Sequence, residues 1–156
     1  MKKIAQKSTS NICKCYYKYV DIYEVHIVFY YGSKEKCIQT TSKFLSKKDK
    51  VVRKDIIDHL KKYIGSPEDT TDYFCMDFII DSTQWIFISI GDTYELDDPY
   101  QLGAISHECI HAAIDIAREH GFYNDDGNSE PIAYLQDFIY TDLLYKLKKT
   151  KKENKQ

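Results

Sequence analysis

YQLGAISHECIHAAIDIAREH, residues 100–120, is the stretch on which the fold turns. Leu102, Ile105, Cys109, Ala112 and Ile116 recur there at helical spacing, so they line one stripe of an α-helix, and Gly121 ends the pattern. What lies upstream has a different period. Between Tyr16 and Tyr31, Tyr19, Tyr23, Val25, Ile27 and Phe29 occupy one parity, and Val20, Ile22 and Val28 the other. That predicts one long strand or two, closed by the turn signal Gly32-Ser33. Cys37 to Phe44 reads as a shorter strand paired back on it.

Further out, Ser46 stands three residues before Asp49 in the manner of a capping box. Val52, Ile56, Ile57, Leu60 and Ile64 follow at helical spacing, and Gly65 with Pro67 stops that helix. Tyr73–Ile80 and Gln84–Ile90 predict two strands joined through Asp81-Ser82-Thr83, a hairpin. Beyond Gly121, Asp126-Gly127 marks a turn and Pro131 suits the first turn of another helix, running to about Lys149. Its inner face is Ile132, Leu135, Ile139, Leu143 and Leu147. Strands, helix, strands and two helices predict one α+β domain over residues 1–156. The expected architecture is a small antiparallel or mixed sheet packed on the 100–120 helix and an antiparallel C-terminal helix. Residues 1–12 and 150–156 are expected to be flexible, and the basic tail from Lys148 to be solvated.

Composition narrows the function classes. With 156 residues the chain is one domain, at roughly 100–200 residues per domain. A net charge of -2 excludes a general nucleic-acid binder, which needs a basic surface to displace counterions. No apolar run approaches the roughly 20 residues of a membrane helix. Met1 to Lys7 carries charge with no apolar stretch behind it, so no secretory signal is expected. Five cysteines (13, 15, 37, 75 and 109), odd in number and irregular in spacing, suit a reducing cytosol. The expected setting is cytoplasmic; the oligomeric state is not legible.

The chemistry lies within the opening stretch. His107-Glu108-Cys109-Ile110-His111 is an HExxH sequence, and on a helix residues i and i+4 share a face, so both imidazoles can reach one ion. Glu108, one residue round, can hold a water on that ion without ligating it. Chance would produce HExxH in roughly 1% of shuffled chains of this composition. Both histidines also lie off the apolar stripe. The bland reading is two surface histidines on an amphipathic helix.

A catalytic zinc takes three protein ligands and a water. His120 lies nine residues beyond His111, about 13 Å further along the helix, too far for one ion. The metzincin pattern HExxHxxGxxH fails because Ile114 and Ala117 occupy its later positions. Asp125 and Asp126 read as turn residues. Glu130 starts the next helix after eighteen intervening residues, where a short antiparallel return can bring it beside the first. Glu130 is the choice.

HECIH, eighteen residues that end in Asn128-Ser129, then Glu130 resembles the gluzincin metallopeptidases. His107 to Asp115 is similar in residue types to the thermolysin-like active-site helix, and the spacing to Glu130 to that of zinc aminopeptidases. Short HExxH proteins of tailed phages and their bacterial hosts are similar in size and in Glu130-Pro131-Ile132-Ala133-Tyr134. The resemblance covers residues 100–140. It implies zinc held by His107, His111 and Glu130, with Glu108 as general base. Tyr134 stands where the thermolysin-like pattern has an Asp that steadies a zinc histidine; Asp137 or Asp115 can take that part. Tyr134 and Tyr123 are candidate donors to a developing oxyanion.

The implied activity is hydrolysis of a peptide or protein substrate, with no nucleic acid and no membrane as partner. An extended peptide is expected to pair along a sheet edge, taken as the Gln84–Ile90 strand that precedes the helix. Alternatives are a regulatory protease cleaving a phage or stress repressor, a zinc-retaining accessory protein without catalysis, and an α+β interaction domain without metal. Elsewhere the residues read blandly. Cys13, Cys15 and Cys37 lack a fourth partner for a thiolate site, Cys109 is core, and His26 and His59 are strand or surface histidines.

Overall fold

A computed structural model describes residues 13–65, 73–91, 97–122 and 129–153. The elements are β1 (Lys14–Val20), β2 (Val25–Tyr31), α1 (Lys34–Leu45), α2 (Lys50–Ile64), β3 (Phe74–Ile80), β4 (Thr83–Ile90), α3 (Pro99–Glu119) and α4 (Glu130–Glu153). The four strands form one mixed sheet in the order β1-β2-β4-β3. Both hairpins are antiparallel, and they join through the parallel pair β2 and β4. The chain is α+β with a mixed sheet, as expected.

The long apolar run from Tyr16 to Tyr31 is two strands. A 3-10 turn over Asp21–Tyr23 and Glu24 at φ 52° reverse the chain between them. In the second hairpin Ile80 pairs with Thr83, leaving Asp81 and Ser82 as a two-residue turn with both φ positive. That conformation matches the twist of the flanking strands.

Alternation assigns the side chains to two cores. Val25, Ile27 and Phe29 of β2, with Ile86, Ile88 and Ile90 of β4, meet α3 and α4 on one face. Val28, Tyr30, Trp85 and Phe87 meet α1 and α2 on the other. Cys109, Ala112, Ala113 and Ala117 are fully buried; these small side chains let the α3 backbone approach the sheet.

Three local expectations are corrected. Residues 37–44 belong to helix α1, not to a strand; Cys37, Thr41 and Leu45 are its buried residues, spaced four apart. Asp49, not Ser46, caps α2, its carboxylate accepting from the Val51 (2.7 Å) and Val52 (3.4 Å) amides. A charged acceptor at a helix N-terminus outcompetes a hydroxyl three residues earlier, and Ser46 Oγ donates instead to the Lys43 carbonyl at the end of α1. The basic tail stays helical to Glu153 because it is tied down. Thr150 is buried and hydrogen-bonds Tyr16 and the Lys146 carbonyl, while Glu153 pairs with Lys14 at 2.9 Å.

Asp98 caps α3 by accepting from the Tyr100 amide at 2.9 Å, with Pro99 in the first turn. At the far end Gly121 takes φ 71°, and the Phe122 amide closes back on the Ala117 carbonyl. His120 Nε2 lies 2.7 Å from the Tyr23 carbonyl, and Pro131 lines a cavity with the same Tyr23, so α4 departs from where α3 ended. Its other end reaches Lys14. The two helices therefore run antiparallel. Among the described residues no helix is long and apolar enough to cross a membrane.

Candidate metal centre

α3 packs its stripe of Ile105, Cys109, Ala112 and Ile116 into the core, which turns His107 and His111 outward, where both are exposed. Their Nε2 atoms lie 3.0 Å apart, with the rings edge to face at a centroid distance of 4.6 Å. Two imidazoles on one tetrahedral zinc, at about 2.0–2.1 Å each, hold their nitrogens about 3.3–3.4 Å apart. The pair already converges to nearly that separation, so its donor chemistry and spacing fit such an ion.

Glu108 points to the other side of the histidines, toward β3, and is only 8% exposed. Burial raises its carboxyl above the usual range, opposed by His107, by His111 and by a backbone N–H of Cys75 that donates to it. A carboxyl raised by burial beside two imidazoles is a more basic proton acceptor than an exposed one.

A second carboxylate backs His111. Asp115, one turn on, is raised by burial and by Asp77 of β3, and lowered by Arg118 and His111. Arg118 lies 3.5 Å from it, and the Gln84 amide donates to the Asp115 carbonyl at 3.1 Å, tying α3 to β4. Asp137 is exposed on α4 and lines a different cavity, with Phe138 and Tyr145. Of the two carboxylates read from the sequence, Asp115 is the one that feels His111.

α4 is tied to the motif through Gln136, whose Nε2 donates to Ser106 Oγ (2.9 Å) and to its carbonyl (3.4 Å), one residue before His107. Glu130 is exposed in the first turn of α4. Among the described residues no three His, Cys, Asp or Glu side chains are grouped to hold an ion. The structure thus assembles His107, Glu108 and His111, and does not bring Glu130 into a three-donor group with them.

His120 is occupied elsewhere, its nitrogens 2.9 and 2.7 Å from the carbonyls of Ile116 and Tyr23. Tyr134 lines a cavity with Ile22, Tyr23 and Phe138, to which no motif residue contributes. Tyr123, Asp125 and Asp126 lie outside the described residues. The expected peptide-pairing strand is corrected: β4 is flanked by β2 and β3, so its backbone groups are taken, and β3 is the edge beside α3.

Sequence reasoning missed Cys75, Asp77, Ser106 and Gln136. Two of them left a signal. Asp77 is the one charged residue in FCMDFII, and Gln136 sits a turn after Ile132, beside the inner face of α4. Burial pushes Cys15, Cys37 and Cys109 up to about 12, and Cys109 is fully buried, as its place on the stripe predicts.

Comparison of the chain with known protein families, with curated proteins and with solved structures finds no match.

Proposed function

We propose that this chain is a minimal gluzincin-like zinc metallopeptidase that hydrolyses a peptide bond. The observation that carries the reading is the convergence of the His107 and His111 Nε2 atoms, 3.0 Å apart, beside a buried Glu108. His107 and His111 would hold the ion, with Glu130 as third ligand. Glu130 stands six residues before Gln136, about 9 Å along α4, and antiparallel packing directs that interval from Ser106 toward the His111 end of the motif. Bound zinc supplies Lewis-acid polarisation of the scissile carbonyl and acidifies water.

The protein's own groups do the rest. Glu108 takes a proton from the attacking water and hands it to the leaving amine; its place against β3 would leave it outside the ligand set of a bound ion. Asp115 orients His111 and favours its metal-binding tautomer. The outer edge of β3 offers backbone groups to an extended peptide, aligning it over Glu108. A stretched substrate of a few residues suits so small a surface, which favours narrow specificity. A regulatory cleavage, such as that of a repressor, fits that narrowness.

Elemental analysis with a peptide-library assay tests the reading. Wild type should carry one zinc per chain, His107→Ala and His111→Ala should lose most of it, and Glu130→Ala should weaken its retention. Glu108→Gln should keep the metal and lower hydrolysis about 10²–10⁴-fold. Full zinc content in His107→Ala would refute the site. Equal cleavage by wild type and Glu108→Gln would refute the mechanism.

A further inference from the structure

α4 buries Ile132, Leu135, Ile139, Leu143 and Leu147, and its opposite face carries exposed aromatic rings among polar residues. Tyr134 (71% exposed), Phe138 (45%) and Tyr145 (69%) stand there in the open, with Thr141 between them. Positions 134, 138, 141 and 145 alternate four and three apart, the spacing of a helix seam that meets another helix, and Lys148 and Lys152 continue it as its basic end. The stripe is concave at one end. Tyr134 and Phe138, with Ile22 (81% exposed) and Tyr19 of the β1–β2 hairpin, line a largely apolar cavity of about 540 Å³.

The same helix segregates charge. Its first half carries Glu130 and Asp137; its last turns carry Lys148, Lys149, Lys151 and Lys152, with Glu153 taken up by Lys14. Asp142 and Lys146, between them, satisfy each other, and Lys18 adds a second cation 3.8 Å from Asp142. A parallel partner would set like charges side by side. An antiparallel second copy does the reverse.

We infer that the chain forms a two-fold dimer through α4, the helices antiparallel about an axis between Phe138 and Thr141. Tyr134 then lies opposite the partner copy's residue 145, so each Tyr145 ring enters the cavity beside Tyr134, Phe138 and Ile22 of the other copy. One patch is used twice, as two-fold symmetry demands. The inference does not depend on metal or catalysis, since none of His107, Glu108 and His111 lines the cavity.

Sedimentation equilibrium over a concentration series tests it on the full chain. Wild type should approach twice the 18.3 kDa of one chain. Phe138→Glu and Tyr145→Glu should sediment as monomers with unchanged circular dichroism, because both side chains are exposed and their loss leaves the core intact. Tyr100→Glu, on α3 and 90% exposed, should leave the dimer in place. Orientation is read by mild oxidation with diamide and peptide mapping. Tyr134→Cys chains should link to Tyr145→Cys chains when the two are mixed. A wild type that stays monomeric, or a dimer that survives Phe138→Glu with Tyr145→Glu, overturns the inference; linkage of each variant to itself through its new thiol overturns the antiparallel arrangement.

Discussion

The two faces of the sheet are built from the same four strands and do different work. Toward α1 and α2 the core is aromatic: Tyr30, Phe74, Phe78, Trp85 and Phe87 stack there, with Phe74 and Phe87 centroids 5.9 Å apart. Toward α3 and α4 it is aliphatic and small, with isoleucines from the strands against alanines and Cys109 of α3. Large rings fill volume and fix a face by packing alone. Small residues bring a helix backbone close to the sheet and hold its outer groups at set heights. The first face supplies bulk, and the second sets the position of HExxH.

Adjacent residues of β4 put that division to the test. Phe87 faces the aromatic core and Ile88 the α3 side, both fully buried. Phe87→Ala should cost about 3–5 kcal/mol and Ile88→Ala about 2–5 kcal/mol, measured by denaturant unfolding. Zinc affinity should rank them the other way. Below its unfolding transition Phe87→Ala should bind zinc as wild type does, whereas Ile88→Ala, by letting α3 settle into the gap, should weaken binding. Equal losses of affinity would mean the faces are not separable.

A smaller effect is expected where the two site helices meet. Gln136→Leu removes the hydrogen bonds to Ser106 and should cost about 1 kcal/mol of stability. It should also lower zinc affinity by about tenfold, the lower end of what outer partners of a metal site contribute, because α4 carries the proposed third ligand. Competition with a chelating dye measures this. If affinity is unchanged while stability falls, Gln136 supports the fold only, and Glu130 is not held in place through it.

How far the sequence discloses each face follows from period. α3 was readable because its apolar stripe and its histidines fall on different sides of one helix. The β3–β4 hairpin was readable from two apolar runs with a polar link. α1 was misread because Thr40, Thr41 and Ile38 look strand-like, and its buried positions, Cys37, Thr41 and Leu45, include a polar one. The central place of β4 had left a mark: Trp85, Ile86, Phe87 and Ile88 are apolar without a break, and a strand buried on both faces reads as such a run rather than as an alternation. Assigning it to an edge ignored that. The histidine pair is legible from a local spacing, i and i+4. Asp77 and Gln136 stand out locally, but their partners do not, and Cys75 does not stand out at all: all three reach the motif helix from elements 30 or so residues away in the chain, and nothing local marks the register.

The least of these effects is also the one that separates the faces by sign. On the α3 side Glu108 and Asp115 are both raised, chiefly by burial, so they favour the protonated fold. Their contribution is present at low pH and is lost as pH rises through the raised values. On the other face His26 stacks on Trp85 with centroids 4.2 Å apart, and its Nδ1 lies 2.5 Å from the Tyr17 hydroxyl. Burial first, and the Lys48 ammonium second, hold its imidazole below 6.5. Unfolded, it takes up a proton near 6.5 that the fold resists, so its contribution is present above that value and is lost as pH falls through the lowered one. His26→Phe keeps a ring on Trp85 and gives up the Tyr17 hydrogen bond, at a cost of about 1 kcal/mol at neutral pH. Denaturant midpoints taken from about pH 7 down to about pH 5 should then decline less steeply than in wild type. An unchanged decline would mean that His26 takes up its proton in the fold as readily as in the unfolded chain, and that the acid sensitivity arises from neither His26 nor the raised carboxyls of the α3 face.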